Sequence, residues 1–249
     1  MITLASDFGS PYPAAMKGVI LQHSDARLVD VSHDLPRQDV RAAAFWLREV
    51  LPHFPPAVHL VVVDPGVGTD RNALAIRAGE HVFVAPDNGV ALPAARRLAA
   101  DIDVFELAVE NPASATFHGR DVFAPWAATI HDAGADTLAA LDGVTPTDDY
   151  AIERFPDPVL EADSAEGEVL VVDDFGNVIT NIPGRILDSV DMVRVGDLRV
   201  PVGHTFAAVG IGAKVVTVGS HENVELAVNR GRGDEAFSLE PGDRVRLSW

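Results

Sequence analysis

The apolar run VHLVVV, residues 58–63, ends in DPGVGTDR. A carboxylate at a strand end, followed by Pro and two glycines, lies in a turn whose backbone can approach a ligand closely. Arg71 could fold back on Asp64 and fix it. The same letters also describe an ordinary turn, in which Asp64 caps backbone amides and Arg71 pairs at the surface. They are neither a dinucleotide fingerprint nor a P-loop, since G-x-G-x-x-G and G-K-[ST] are both missing.

Three further stretches carry residues suited to chemistry. In TFHGRDVFAPWAATI, residues 116–130, the pattern predicts a helix from Asp121 with Pro125 in its first turn and an apolar face of Phe123, Trp126, Ala127 and Ile130. His118 then sits just before the helix start, where the positive end of the dipole disfavours imidazolium and leaves a ring able to accept a proton or a hydrogen bond. Gly119 removes bulk beside it. A structural hydrogen-bonding histidine is the plainer alternative. In VVDDFGNVITNI, residues 171–182, Asp173, Phe175 and Asn177 alternate along a strand or wide turn. A ring for stacking beside an amide with donor and acceptor suits a heteroaromatic ligand, although a β-turn carrying a core Phe accounts for the same residues. In SDFG, residues 6–9, Asp7 ends the first strand, where a carboxylate can accept hydrogen bonds from a ribose diol. A protein-kinase reading of DFG, residues 7–9, fails, because the glycine-rich loop, the V-A-I-K lysine and H-R-D are absent.

The elements that must position these groups follow from periodicity. β-rich runs (MITLAS, RLVDVS, VHLVVV, HVFVAP, DVFEL) alternate with helical patterns near 13–23, 39–51 and 90–100, which predicts an α/β domain with a mainly parallel sheet. Ligands of such sheets gather beyond the carboxyl ends of the strands, where Asp7, Asp64 and Asp87 follow the first, third and fourth runs. Residues 1–150 are assigned to this domain. The Pro- and acid-rich text from about 143 to 167 lacks either period, so 151–166 is assigned as a linker. Residues 167–249 hold short runs between Gly, Asp and Pro turns, which predicts a smaller antiparallel β-barrel domain.

Composition narrows the classes. With 249 residues, 47% of them hydrophobic, the chain can bury a proper core. A net charge of -18 argues against nucleic acid, whose binding depends on Lys and Arg neutralising phosphates. Lys17 and Lys214 are the only lysines, and Asp outnumbers Glu, which suggests a surface adapted to high salt. No run approaches 18 apolar residues and an acid already stands at position 7, so neither a signal nor a membrane anchor is expected, and the expected location is cytoplasmic. The absence of Cys excludes disulfides, Cys-zinc sites and a thiol nucleophile.

The motifs SDFG…MKGVI, DPGVGTDRNALAIRA, APDNGV, TFHGRDVFAP, DDFGNVITNI and VELAVNRG, in this order over nearly the whole chain, closely resemble the S-adenosylmethionine (SAM) hydroxide adenosyltransferases, relatives of the fluorinases and chlorinases. The resemblance implies an N-terminal α/β domain, a C-terminal β-barrel and a homotrimer that holds SAM between subunits. It implies hydrolysis of SAM to adenosine and L-methionine without cofactor or metal. Asp64, Arg71 and His118 would surround the attacking water. Asp7 would bind the ribose hydroxyls, Phe8 and Tyr12 would contact the substrate, Phe175 and Asn177 would hold the adenine, and Asp173 would meet the methionine ammonium, with Ser220, His221 and the backbone near Arg230 lining the rest. Two departures stand out: the loop GSPYPAAMKG is shorter than the family's, and Gly219, Ser220, His221 and Glu222 replace an Asn-Ser-x-Gly turn. The competing readings are a halogenase acting on the same carbon, a non-catalytic SAM or adenosine sensor, and an Asp/His metallohydrolase. Halogenases carry Tyr at the position of Asp64, and a carboxylate there would repel a halide. No HExxH or comparable ligand spacing supports the metallohydrolase.

Overall fold

A computed structural model describes residues 1–109 and 112–249. The chain forms two compact units, Met1–Glu153 and Arg154–Trp249. The first contains β1 (Ile2–Ser6), α1 (Tyr12–His23), β2 (Leu28–Ser32), α2 (Val40–Val50), β3 (Val58–Val62), β4 (Ala73–Ala78), β5 (His81–Pro86), α3 (Leu92–Leu98), β6 (Asp103–Leu107), α4 (Ala124–Ala133) and β7 (Val144–Pro146). Their sheet runs β2-β1-β3-β5-β4-β6-β7. β2, β1, β3 and β5 pair in parallel, and β4 lies antiparallel to both β5 and β6, so β6 shares the common direction. Only β4 and β7 oppose it. Strands β1 and β3 are buried along their whole length, as expected of a sheet covered on both faces. Met16, Ile20, Leu60, Ala127 and Ile130 are among the buried residues of the core that joins sheet and helices.

This sheet contains a strand that the alternating runs do not predict. The segment ALAIRA forms β4 and returns at Gly79, in a left-handed conformation (φ +61°), into β5. More important for function is the order of the first three strands. From β1 the chain goes to β2 on one side, then comes back to β3 on the other. Such a reversal opens a crevice beyond the carboxyl ends of the two central strands. Asp7 directly follows β1, and Asp64 lies two residues beyond β3.

The second unit contains β8 (Val159–Leu160), β9 (Ser164–Val172), β10 (Val178–Pro183), β11 (Met192–Val195), β12 (Leu198–Pro201), β13 (Lys214–Val218), β14 (Asn223–Val228), α5 (Gly233–Phe237) and β15 (Arg244–Ser248). Their pairings are antiparallel, in the order β12-β11-β15-β9-β10-β14-β13, with β8 beside β9. A bridge between Val202 and Val216 joins the two ends of that order, and Gly203 N–H donates to the Val216 carbonyl at 3.0 Å. The sheet is thereby nearly closed into a barrel, which leaves little unpaired edge. Alternation supplies the inside: Val193, Val195, Val245 and Leu247 point into a core with Val169, Ile182 and Leu226.

Candidate active site

The loop after β3 is built around one ion pair. The Arg71 Nη1 donates to Asp64 Oδ1 at 2.6 Å, and the Gly66 N–H donates to the same oxygen at 3.1 Å. The Asp64 side chain is only 7% exposed and that of Arg71 28%, so this carboxylate faces little bulk solvent. Asp64 Oδ2 accepts no hydrogen bond among the described residues. Arg71 does fold back, and Gly66 is why it can. A methyl group on Gly66 would overlap the Arg71 guanidinium. A guanidinium is the far end of a flexible side chain, so Gly66→Ala should leave the fold nearly untouched and dislodge Arg71 from Asp64. We expect an unchanged melting temperature and a kcat lowered by up to about 10²-fold, the scale of a 1 Å misplacement. Thermal unfolding beside steady-state kinetics checks both halves.

His118 lies on the adjacent loop. The helix begins earlier than predicted, with a π-helical turn over Gly119–Phe123 that runs into α4, and His118 is the residue immediately before it. Gly119 is wedged against the end of β3: a Cβ there would stand 3.4 Å from Val62 Cγ1 and 2.9 Å from Met16 Sδ. Gly68, at φ +82°, comes so close to the Ala115 carbonyl that a Cβ would stand 2.5 Å from its oxygen. The Asp64–Arg71 loop and the loop that carries His118 therefore pack on each other. Phe117 also joins Phe8 and Tyr12 in edge-to-face contacts, with centroids 6.1 and 5.4 Å away. These rings connect the Asp7 turn to the His118 loop, and Tyr12 remains 53% exposed.

Two residues of this unit have duties that the motifs alone do not disclose. Asn88 Nδ2 donates to the Val63 carbonyl at 2.8 Å, while its Oδ1 accepts from Val90 N–H. It thus pins the backbone just before Asp64, and an Asn followed by Gly after a strand is the signal that marks it. Asp87, by contrast, works for the fold despite its place beyond a strand end. Its Oδ1 accepts from Ala151 N–H at 2.7 Å.

In the second unit, Asp173 and Asn177 are bonded to each other. Asp173 Oδ1 accepts from the Asn177 N–H at 2.8 Å and Oδ2 from Asn177 Nδ2 at 2.9 Å. Gly176, at φ +86°, turns the chain between them. The turn lifts Phe175 to the surface, where it is 79% exposed, so it is no core residue. Ser220 and His221 lie in the turn between β13 and β14, 3.5 Å apart at Oγ and Nε2, and Arg230 occupies an exposed left-handed position (φ +56°) beyond β14. Beside Asp173 stands Glu225, a residue that sequence reasoning missed. It is buried in β14, and among the described residues its Oε1 has no hydrogen-bond partner. Burial first, and the neighbouring negative Asp173 second, push its carboxyl up to about 7. A lone acid inside the apolar run VELAV was the available signal.

Among the described residues no cluster of three or more His, Asp or Glu could hold a metal ion, and no helix is long and apolar enough to cross a membrane.

Comparison with known proteins matches residues 2–140 to the SAM hydroxide adenosyltransferase N-terminal domain and 167–246 to the C-terminal domain of that family. The chain is 40% identical to an (R)-S-adenosyl-L-methionine hydrolase of Salinispora tropica, across 99% of this chain and 97% of that one. It is 42% identical to a protein of the same name from Thermus thermophilus, with 97% of each covered. Among solved structures, an uncharacterised conserved protein from Thermotoga maritima superposes with a TM-score of 0.86 at 35% identity over 100% of both chains. A conserved hypothetical protein from Thermus thermophilus gives 0.78 at 40% identity, covering 99% of this chain and 98% of that one.

Proposed function

Because the chain belongs to the SAM hydroxide adenosyltransferase family, we infer that it hydrolyses S-adenosyl-L-methionine to adenosine and L-methionine. Water attacks C5′ in line with the departing sulfur. The new O–C5′ bond forms as the C5′–S bond breaks, its electron pair goes to sulfur, and methionine leaves as a neutral thioether. The relatives' names specify the (R) sulfonium epimer, and we extend that epimer to this chain.

The leaving group needs neither an acid nor a Lewis acid. What the reaction lacks is a nucleophile, since bulk water has a pKa of about 15.7. The observation that carries the assignment is the Asp64 carboxylate, 7% exposed, with one oxygen committed to Arg71 and Gly66 and the other left for a water. Asp64 orients that water and Arg71 fixes Asp64, while His118 is the second candidate to receive its proton. A site that excludes bulk water further favours the reaction, because charge is lost as hydroxide character meets the sulfonium. A carboxylate at this point repels a halide, which speaks against the halogenase.

The remaining contacts are assigned on the same basis. Asp7 takes the ribose hydroxyls, with Phe8 and Tyr12 beside it, and Phe175 and Asn177 take the adenine. Ser220, His221 and Arg230 line the methionine end. Asp173, with the buried Glu225 beside it, takes the ammonium, whose positive charge would relieve two carboxyls placed together. The proposal includes a homotrimer with sites between subunits and without cofactor, supported by family likeness, and a cytoplasmic location. It also includes no role in nucleic-acid binding, supported by the charge of -18.

Turnover of SAM in oxygen-labelled water, at low and at high halide, tests the reaction. Label should enter the adenosine 5′-hydroxyl at every halide concentration. A 5′-halo-5′-deoxyadenosine as main product would make the protein a halogenase, and tight SAM binding without methionine release would make it a sensor.

A further inference from the structure

One hydrogen-bonded chain in the first unit takes no part in the reaction as assigned. The Ser6 hydroxyl meets His33 Nδ1 at 2.7 Å, His33 Nε2 meets Asp30 Oδ1 at 3.0 Å, and Lys17 Nζ donates to Asp30 Oδ2 at 2.6 Å. Serine, histidine and aspartate in series have the composition of a nucleophilic triad. Ser6, however, is fully buried, so its oxygen cannot reach a substrate. The series must act through what it holds.

What it holds is the turn that carries Asp7. The His33 side chain reaches Ser6, the residue before Asp7. The His33 backbone carbonyl accepts from Gly9 N–H at 2.9 Å, two residues after Asp7. The same segment ties down the rest of the turn. Leu35 N–H donates to the Ser6 carbonyl at 3.2 Å, and Gln38 N–H donates to Asp7 Oδ2 at 2.7 Å. Gly9 and Gln38 both adopt left-handed backbone, with φ of +58° and +60°. Gly9 does so at no steric cost, whereas a non-glycine such as Gln38 persists there when surrounding contacts over-determine it. With Nε2–H donating to Asp30, Nδ1 is left to accept the Ser6 hydroxyl proton, and Lys17 on α1 holds Asp30.

We propose that His33 is a positioning residue for Asp7, gripping the turn on both sides so that the carboxylate is pre-set to receive the substrate's ribose hydroxyls. The inference rests on the ribose role assigned to Asp7 above. Preorganisation of a binding group lowers the cost of ordering it when ligand arrives. Loss of the clamp therefore weakens binding of the nucleoside part and leaves the step at C5′, which Asp64 governs, largely alone.

The test compares wild type with Asp7→Ala, His33→Ala and His33→Asn, measuring kcat and KM for SAM, Kd for adenosine and the thermal midpoint. Asn places an amide where Nδ1 stands and can still bond Ser6. His33→Ala removes the side-chain half of the clamp and keeps the backbone bond to Gly9, and we expect KM and adenosine Kd to rise together by about tenfold with kcat within about threefold, the scale of one lost hydrogen bond. His33→Asn should recover most of that loss. If Asp7→Ala leaves KM and adenosine binding unchanged, the ribose assignment fails. If Asp7→Ala weakens both while His33→Ala and His33→Asn match wild type, or lower only the thermal midpoint, the clamp is refuted.

Discussion

Replacing Asp64 with Ala should lower kcat by about 10²- to 10⁴-fold, the range expected when a group that activates a nucleophile is removed. Adenosine binding, measured by calorimetry, should stay close to wild type, because the nucleoside is held by other residues in this reading. The fold should tolerate the change: Asp64 lies beyond the end of β3, outside the ladder, and the Arg71 it releases is already 28% exposed and can turn to water. Asp64→Asn sharpens the result. An amide keeps the size and a carbonyl oxygen for Arg71 and Gly66 but carries no charge, so a loss as large as that of Ala would assign the effect to the carboxylate's charge. Wild-type turnover in either variant would refute the role. His118 is separated by rescue: if its ring takes the proton, His118→Gly should lose activity and regain part of it with added imidazole, whereas a structural histidine would gain nothing.

The order of the motifs disclosed this arrangement better than any one of them. An acid after a buried strand has many uses, and Asp87 demonstrates the point: it follows β5 as Asp64 follows β3, yet it caps Ala151. What separates the two is the strand order, a long-range property that local pattern does not encode. The β1/β3 reversal places Asp7 and Asp64 beside one crevice. The fold class was legible because period-2 and period-3.6 patterns alternate in the first unit, while closely spaced turns fill the second. β4 was not, since ALAIRA is rich in Ala, which has little strand preference, and its antiparallel place is set by the turn at Gly79 and by the two strands that flank it. Phe175 reads equally as core or surface until the turn at Gly176 is known. Glu225 was missed for a similar reason: a strand's alternation predicts which face a residue takes, not whether a neighbouring carboxylate lies there.

A second expectation concerns stability in acid, and it arises from the same buried run, VHLVVV. His59 is the second residue of β3, fully buried, with Nδ1 2.7 Å from the Thr3 hydroxyl and Nε2 2.9 Å from His81 Nδ1. Burial lowers its pKa from the ordinary 6.5 to about 3, with the neighbouring His81 adding to the effect, and burial lowers His81 in the same direction. The folded pKa of this base lies below the unfolded one, so between about pH 6.5 and 3 the unfolded chain binds the extra proton. The contribution of this group to stability is therefore intact above pH 6.5 and declines as pH falls through that window, by about 1.4 kcal/mol per unit. The total from His59 approaches roughly 5 kcal/mol near pH 3, a large fraction of the stability of an ordinary domain. Most carboxylates titrate lower and complicate the acid end, while Glu225, raised to about 7, titrates alike in wild type and variant and cancels in their difference, so the informative interval is pH 7 to 5. His59→Gln keeps a hydrogen-bonding side chain without a titrating proton. Urea unfolding across that interval should give a slope against pH shallower in the variant than in wild type by about 1 kcal/mol per unit. Equal slopes would mean that His59 titrates as it does in the unfolded chain, and the buried pair would then have no part in acid sensitivity.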